Sequence, residues 1–251
     1  MFEQHKTAIQ AAAVAAAPNE LCGVIHAGQF VVLENAAPDP LTTFAFTDAD
    51  TAKYMLDPLT EAIVHSHPAT DLGEGRFINR LSPSITDMRQ QLATALPWII
   101  AAENRNNGVW EVFDWGLHTL DLPILERPFR HGVEDCYEVI RKWHWQYAGV
   151  ELLACPRDDL WWDDPMVERT AQANFYMDLF QACGAERVYP NSPGELRPGD
   201  VFLYKLGTKD VYNHGGVFLG NGLVAHHPPS KLSVASPVGP WFKRLDVWLR
   251  R

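Results

Sequence analysis

Two histidines two residues apart, His65 and His67, end a short apolar run that includes Ile63 and Val64. On a β-strand, side chains at positions i and i+2 point to the same face, so the pair can offer two imidazoles to one metal ion. A His-x-His pair on an apolar strand is more often explained by packing. The other side chains that could join the pair therefore decide between the two interpretations.

Three further side chains could complete a catalytic metal site. Two imidazoles and one carboxylate, here His65, His67 and Asp87, are a common ligand set for catalytic zinc, with water in the fourth position. Glu20 could take the proton of that water, and the Ser84 hydroxyl could donate to the oxyanion that forms. Ser84 and Asp87 also fit a plain capping box at a helix start, and Glu20 alone would be a solvated carboxylate.

A candidate nucleophile lies in the second half, where Asp135 can cap a helix that begins at Cys136. The helix dipole stabilises a thiolate in the first turn, so the sequence predicts a lowered pKa for Cys136. His214 and His226 stand at adjoining ends of a predicted hairpin, where one could deprotonate the thiol and the other could orient the first. His227 competes for the orienting role, and a lone buried cysteine is often only an apolar filler.

The hydrophobic periodicity indicates a mixed arrangement of helices and strands. In the first half we expect helices at 4–17, 47–56 and 84–96, strands at 20–25, 30–33, 62–65, 98–102 and 109–113, and a loop at 69–82. In the second half we expect a helix from 136, a strand at 201–204 and a hairpin whose turn is Gly220-Asn221-Gly222.

The chain has 251 residues, which suits one large domain or two of ordinary size. Between 117 and 127 no regular period holds and prolines interrupt the chain, which is typical of a domain boundary. We therefore predict an α+β protein with an N-terminal domain at 1–117, a linker at 118–126 and a C-terminal domain at 127–251.

Composition argues against several classes of partner. The net charge of −10 argues against nucleic-acid binding, which needs a basic surface, and against docking on an anionic membrane. No apolar run approaches the roughly 18 residues that span a bilayer, so we expect no direct membrane insertion. The alanine-rich segment at 11–17 has the wrong flanks for a secretion signal, and we expect residence in the cytoplasm at first.

Residues 5–115 resemble the JAMM/MPN zinc-isopeptidase family, whose motif is a glutamate, then His-x-His, then Ser-x-x-Asp. The resemblance implies a metallopeptidase that uses Zn²⁺. The metal ligands would be His65, His67 and Asp87. Glu20 would be the base that activates water, and Ser84 would donate to the oxyanion. The segment 68–83 is longer than usual in that family, and it could form a lid or a docking surface.

Residues 127–251 resemble the NlpC/P60 cysteine peptidases, which have a papain-like fold. The motifs are Asp135-Cys136, Pro198-Gly199-Asp200 and His214-Gly215-Gly216. A further polar residue, His226, follows twelve positions after His214. The resemblance implies a cysteine endopeptidase with Cys136 as the nucleophile, His214 as the base and His226 as the orienting residue. The family's usual Asp-Cys-Ser-Gly is Asp-Cys-Tyr-Glu in this chain.

The order of the two halves resembles the tail-tip assembly proteins of lambda-like siphophages. This resemblance implies zinc-dependent hydrolysis of a peptide or isopeptide bond, for example in a tail protein, and thiolate hydrolysis of stem peptides of host peptidoglycan. It implies other tail-tip proteins as partners, assembly in the host cytoplasm and residence in the tail tip of the virion. The alternatives are a non-catalytic structural or assembly protein of the tail tip with degenerate sites, and a host-encoded cytoplasmic peptidase.

Overall fold

The computed structural model describes two compact units, Met1–Thr119 and Leu120–Arg251. The residues described are 2–159, 161, 169–207, 210–245 and 247–251, without the side chains of 169–174, 240 and 241. The division between the units falls inside the segment in which the sequence predicts a linker. Within these described ranges, no helix is both long and apolar enough to cross a membrane.

The first unit is built around a five-stranded sheet. Its strands, together with a separate two-stranded hairpin, are β1 (Cys22–His26), β2 (Gln29–Leu33), β3 (Thr60–His67), β4 (Thr70–Gly73), β5 (Arg76–Ile78), β6 (Trp98–Asn104) and β7 (Val109–Trp115). The strand order in the sheet is β2–β1–β3–β6–β7, with β3 and β6 parallel and the other neighbours antiparallel.

The helices of the first unit are α1 (Lys6–Ala16), α2 (Asp48–Asp50), which continues as a π-helical turn at Thr51–Met55, and α3 (Ile85–Thr94). The α2 segment is less regular than the helix predicted at 47–56. Pro58 disfavours a helical conformation at Asp57, the residue that precedes it. The loop predicted at 69–82 is partly wrong, because β4 and β5 pair as an antiparallel hairpin. Three consecutive residues with positive φ, Gly73, Glu74 and Gly75, close its turn.

One face of the five-stranded sheet is covered by α1. Ile9 and Ala13 of α1 are fully buried and pack in one cluster with Ala62 and Val64 of β3. Since side chains alternate along a strand, Ile63, His65 and His67 point to the opposite face of the sheet. The prediction that the two histidines share one face of a strand is therefore confirmed.

The second unit contains a six-stranded antiparallel sheet with the order β12–β11–β10–β9–β13–β8. Its strands are β8 (Glu186–Val188), β9 (Val201–Tyr204), β10 (His214–Gly220), β11 (Leu223–His226), β12 (Val234–Pro237) and β13 (Val247–Arg250). Its helices are α4 (Cys136–Trp143), which continues as a π-helical turn at His144–Ala148, α5 (Arg169–Ala182) and α6 (Val238–Phe242).

Hydrophobic side chains cover both faces of this sheet. Ile140 and Trp143 of α4 pack with Leu203 and Val217 on one face, whereas Phe202 and Trp248 pack on the other. The predicted hairpin is confirmed: β10 and β11 are joined by residues 220–222, all with positive φ, and Gly216 pairs with His226.

Candidate active sites

The imidazoles of His65 and His67 converge at the end of β3, where both side chains are buried. Their Nε2 atoms lie 3.1 Å apart, and Asp87 places Oδ1 at 3.5 Å from His65 Nε2 and Oδ2 at 3.3 Å from His67 Nε2. Ligand atoms held tetrahedrally at 2.0–2.1 Å from zinc are roughly 3.3 Å from one another. The two imidazole nitrogens match this spacing, and Asp87 faces each of them with a different carboxylate oxygen, so the structure brings the three predicted ligands together.

The segment 68–83 holds His67 in one orientation. His67 Nδ1 lies 3.1 Å from the carbonyl oxygen of Arg80. A carbonyl can only accept, so Nδ1 carries the proton and Nε2 presents its lone pair toward Asp87 and His65. A hydrogen bond of this kind on the outer nitrogen is what orients histidines that bind metals.

Glu20 lies just before β1, with its carboxylate buried beside the two histidines. Its Oε1 is 3.0 Å from Arg80 Nη1. Burial raises the pKa of Glu20 to about 6, against the opposing effects of His65 and Arg80. The ligand atoms of Glu20, His65 and His67 lie within 4.8 Å of one another, so Glu20 could serve as a base beside the metal ligands or as a ligand itself.

The main chain around Glu20 is anchored to neighbouring segments. Glu20 N–H donates to the Pro40 carbonyl at 2.7 Å, and Leu21 N–H donates to Ser66 Oγ at 2.7 Å. Because Ser66 lies between the two histidines on β3, the strand that carries the imidazoles also sets the position of this carboxylate.

Ser84 and Asp87 form a capping box at the start of α3. Asp87 N–H donates to Ser84 Oγ at 3.1 Å, and Ser84 N–H donates to Asp87 Oδ2 at 2.7 Å. Asp87 therefore takes part in the capping box and also contacts the two histidines. Burial raises the pKa of Asp87, but His65, by its charge and its hydrogen bond, opposes burial and holds the pKa well below its usual range. The predicted oxyanion role of the exposed Ser84 stays a prediction.

Cys136 begins α4, as the sequence predicts, and Asp135 is its N-cap. Asp135 Oδ1 accepts hydrogen bonds from Tyr137 N–H at 3.0 Å and from Glu138 N–H at 3.3 Å. The Cys136 thiol is buried, and Gly215 of β10 and Tyr176 of α5 line the small cavity beside it.

The lowered pKa that the helix dipole predicts for Cys136 is wrong for this structure. Burial raises the pKa of the thiol to about 12, the charge of Asp135 adds to the rise, and Arg157 opposes it only in part. Desolvation of a thiolate in this closed environment outweighs the stabilisation at a helix N-terminus. The thiolate therefore has to form together with protonation of a neighbouring base.

His214 and His226 lie side by side at the ends of β10 and β11. His214 Nε2 is 3.2 Å from His226 Nδ1, and His226 Nε2 is 3.2 Å from Ser236 Oγ on β12. His227, the competing candidate, turns elsewhere, since its Nε2 donates to the Lys231 carbonyl at 3.0 Å. The structure therefore places His226, and not His227, against His214.

Both histidines of this pair are neutral at neutral pH. Burial, together with the charge of a neighbouring histidine, lowers the pKa of His214 to about 3 and that of His226 to about 4. A neutral imidazole can accept a proton, as a general base must. His226 contacts Nε2 of His214, so Nδ1 is the nitrogen through which His214 could accept the proton of Cys136.

A buried ion pair supports the start of α4. The Arg157 guanidinium bonds to Asp135 Oδ2, which also accepts from Gly132 N–H at 2.8 Å. Burial raises the pKa of Asp135, but Arg157 and then His131 outweigh it and keep the pKa below its usual range. Four residues that contact the two sites were not predicted from the sequence: Arg80, Arg157, Tyr176 and Ser236. Each lies on a different segment of the chain from its partner, and none forms part of a motif.

The sequence profile of the NlpC/P60 family matches residues 126–251. Tail tip assembly protein K of Escherichia phage N15 is 31% identical over 252 residues, covering 97% of this chain and 92% of that protein. Tail tip assembly protein K of Escherichia phage lambda is 34% identical over 192 residues, covering 76% of this chain and 77% of that protein. The crystal structure of the NlpC/p60 domain of the peptidoglycan hydrolase SagA covers 53% of this chain and 95% of its own, at 16% identity and a TM-score of 0.32.

These similarities confirm two of the three resemblances found in the sequence, those to the NlpC/P60 peptidases and to the phage tail-tip proteins. The resemblance of the first half to JAMM/MPN peptidases stays a prediction, as do the domain assignments, the zinc ion and the roles of the site residues. The chain belongs to the NlpC/P60 family and, over almost its whole length, to the family of the phage tail tip assembly proteins K.

Proposed function

We propose that this protein takes part in assembly of a phage tail tip and carries a cysteine endopeptidase at 127–251 and a zinc-dependent hydrolase at 1–117. The observation that carries the first activity is the contact between His214 and His226 beside the helix that begins with Cys136. Membership of the NlpC/P60 family and the two phage relatives support the same assignment. Stem peptides of host peptidoglycan are the proposed substrate of the cysteine site.

The cysteine site would act by acyl transfer. The Cys136 proton passes to His214 Nδ1 as the sulfur attacks the peptide carbonyl carbon, and the imidazolium is stabilised by His226. The carbon–nitrogen bond then breaks, His214 returns the proton to the departing amine, and a thioester to Cys136 remains. Water that gives its proton to His214 hydrolyses the thioester and restores the thiol. The main-chain N–H of Cys136, at a helix N-terminus, is suited to donate to the oxyanion.

Release of stem-peptide fragments from purified peptidoglycan tests this activity. We expect the wild type to release fragments and Cys136→Ala and His214→Ala to release none, because each variant removes a reacting group. His227→Ala is the matched control, since that histidine turns toward the Lys231 carbonyl, and it should retain activity. Equal release by the wild type and Cys136→Ala would refute the cysteine mechanism.

The zinc hydrolase is supported by the geometry of the first unit. His65, His67 and Asp87 would hold the ion, and their spacing and the proton on His67 Nδ1 fit that role. Zinc, when bound, acts as a Lewis acid and lowers the pKa of water. Glu20 would accept a proton at Oε2, because Arg80 holds Oε1, and would pass it to the leaving amine. Ser84 would donate its hydroxyl proton in a hydrogen bond to the oxyanion. The bond cleaved would be a peptide or isopeptide bond, for example in a tail protein.

Elemental analysis of natively purified protein tests the zinc assignment. We expect about one zinc per chain for the wild type and almost none for His67→Ala, because the variant removes one of three protein ligands. His26→Ala is the control, since His26 pairs with Asp57 at a distance of 3.1 Å in a partly exposed contact. Native protein that contains no zinc would contradict the metallopeptidase.

A second candidate function is a structural role in the tail tip without catalysis. The burial of Cys136 and its pKa of about 12 favour it, because a closed thiol does not meet substrate directly. Other tail-tip proteins are the proposed partners in both cases, with assembly in the host cytoplasm and final residence in the virion. Phages that carry Cys136→Ala or His67→Ala distinguish the two functions: normal assembly and infection by both would favour the structural role.

A further inference from the structure

The outer nitrogen of His226 meets a hydroxyl group on the neighbouring strand. Ser236 Oγ lies 3.2 Å from His226 Nε2. Strands β11 and β12 are antiparallel, with Val224 opposite Ser236 and His226 opposite Val234. Ser236 and His226 are therefore diagonal neighbours on one face of the sheet, at a separation that side chains of this size can bridge.

The position of one proton on His226 decides whether His214 can act as a base. The nitrogens that face each other, His214 Nε2 and His226 Nδ1, share a single hydrogen. If that hydrogen belongs to His226 Nδ1, neutral His214 carries its own proton on Nδ1 and cannot accept one from Cys136 there. If it belongs to His214 Nε2, then His214 Nδ1 is free to accept, and His226 must carry its proton on Nε2. Only the second arrangement is productive.

We propose that Ser236 is a positioning residue that keeps the proton of His226 on Nε2 and so keeps His214 in the tautomer that can accept the proton of Cys136. A serine hydroxyl has one hydrogen and two lone pairs, so Ser236 Oγ accepts from His226 Nε2–H when its own hydrogen is turned away from the imidazole. When Cys136 gives its proton to His214 Nδ1, the hydrogen on His214 Nε2 stays in place and donates to the lone pair of His226 Nδ1. No proton has to move to Ser236. A partner that selects the histidine tautomer plays a comparable part in serine peptidase triads.

The proposal rests on the proposed cysteine peptidase, and its test uses two measurements that need no peptide substrate. The first is the rate at which iodoacetamide alkylates Cys136, followed by mass spectrometry of the peptide that contains it. The second is the ¹⁵N NMR spectrum of histidine-labelled protein, in which the two tautomers of a neutral imidazole have different nitrogen shifts. The variants are Ser236→Ala, Ser236→Thr and, as a matched control, the exposed Ser192→Ala.

Ser236→Ala should slow alkylation of Cys136 by about tenfold, the equivalent of one lost hydrogen bond, and should move the His226 proton from Nε2 toward Nδ1. Ser236→Thr keeps a hydroxyl and should restore most of the rate and the Nε2–H spectrum, whereas Ser192→Ala should match the wild type. With an active peptide substrate, Ser236→Ala should lower kcat and leave KM almost unchanged.

Alkylation of Ser236→Ala at the wild-type rate with His226 still protonated on Nε2 would overturn the proposal. Equal slowing in Ser236→Ala and Ser236→Thr would also overturn it, because a hydroxyl-independent effect is a packing effect. If wild-type protein releases no stem peptides but the alkylation and NMR results follow the expected pattern, the proposed substrate fails while the role of Ser236 stands.

Discussion

Arg157→Met removes the charge that faces Asp135 beneath the start of α4. Arg157 is 2% exposed and Asp135 is 3% exposed, so neither charge is compensated by water. Methionine roughly preserves the length of the side chain but has no hydrogen-bond donors. Asp135 would keep its main-chain donors at Gly132, Tyr137 and Glu138 and would lose its guanidinium partner.

Breaking one side of a buried ion pair costs roughly 3–5 kcal/mol. Because three main-chain N–H groups still stabilise the carboxylate, we expect the lower end, about 3 kcal/mol. The cost depends on pH. The depressed pKa of Asp135 contributes stability above the unfolded pKa, about 3.9, and that stability is lost as the pH falls through the lower folded pKa. The difference between the wild type and Arg157→Met should therefore shrink below about pH 4.

Native-state amide hydrogen exchange of peptides from β10 and β11 measures the opening of the second unit. A double-mutant cycle with Asp135→Asn isolates the pair: the double variant should be less destabilised than the sum of the single variants, with a coupling of about 2 kcal/mol. The exposed Arg197→Met is the matched control and should change stability by less than about 0.5 kcal/mol. A loss below about 1 kcal/mol in Arg157→Met at pH 7, with no coupling, would refute the reasoning.

Three further predictions concern other residues of the two units. After chelation at pH 8, Glu20→Gln should stabilise the first unit by about 2 kcal/mol, because burial raises the pKa of the Glu20 carboxyl to about 6 and its ionisation therefore opposes folding. Hydrogen exchange of β3 should show that this gain in stability disappears below about pH 4. His226→Ala should lower kcat for stem-peptide release by roughly 10²–10⁴-fold through loss of the orienting contact, whereas His227→Ala should not. Gly216→Ala should destabilise the second unit by about 3 kcal/mol, because a Cβ there would lie 2.4 Å from a main-chain oxygen of β11. Gly239→Ala, which meets open space, should leave the denaturation midpoint almost unchanged.

The sequence determined the features that depend on local conformation. His65 and His67 share a face because successive side chains alternate along any strand. Asp135 starts α4 because a short side-chain acceptor satisfies the free N–H groups of the first turn. The hairpin of β10 and β11 follows from the Gly-Asn-Gly turn between two apolar runs. By contrast, the β4–β5 hairpin was not predicted, because its short, exposed strands have no buried face and no hydrophobic alternation to mark them.

Only the tertiary structure decided which side chains from distant elements meet and how deeply they are buried. It brought Asp87 to His65 and His67, and it added Arg80 from the long segment that follows them. It also selected His226 over its neighbour, and it raised the pKa of Cys136 where the helix position alone predicted a lowered value. The physical reason is that periodicity and capping are properties of a few consecutive residues. Desolvation and the convergence of side chains depend instead on how every element of the unit packs.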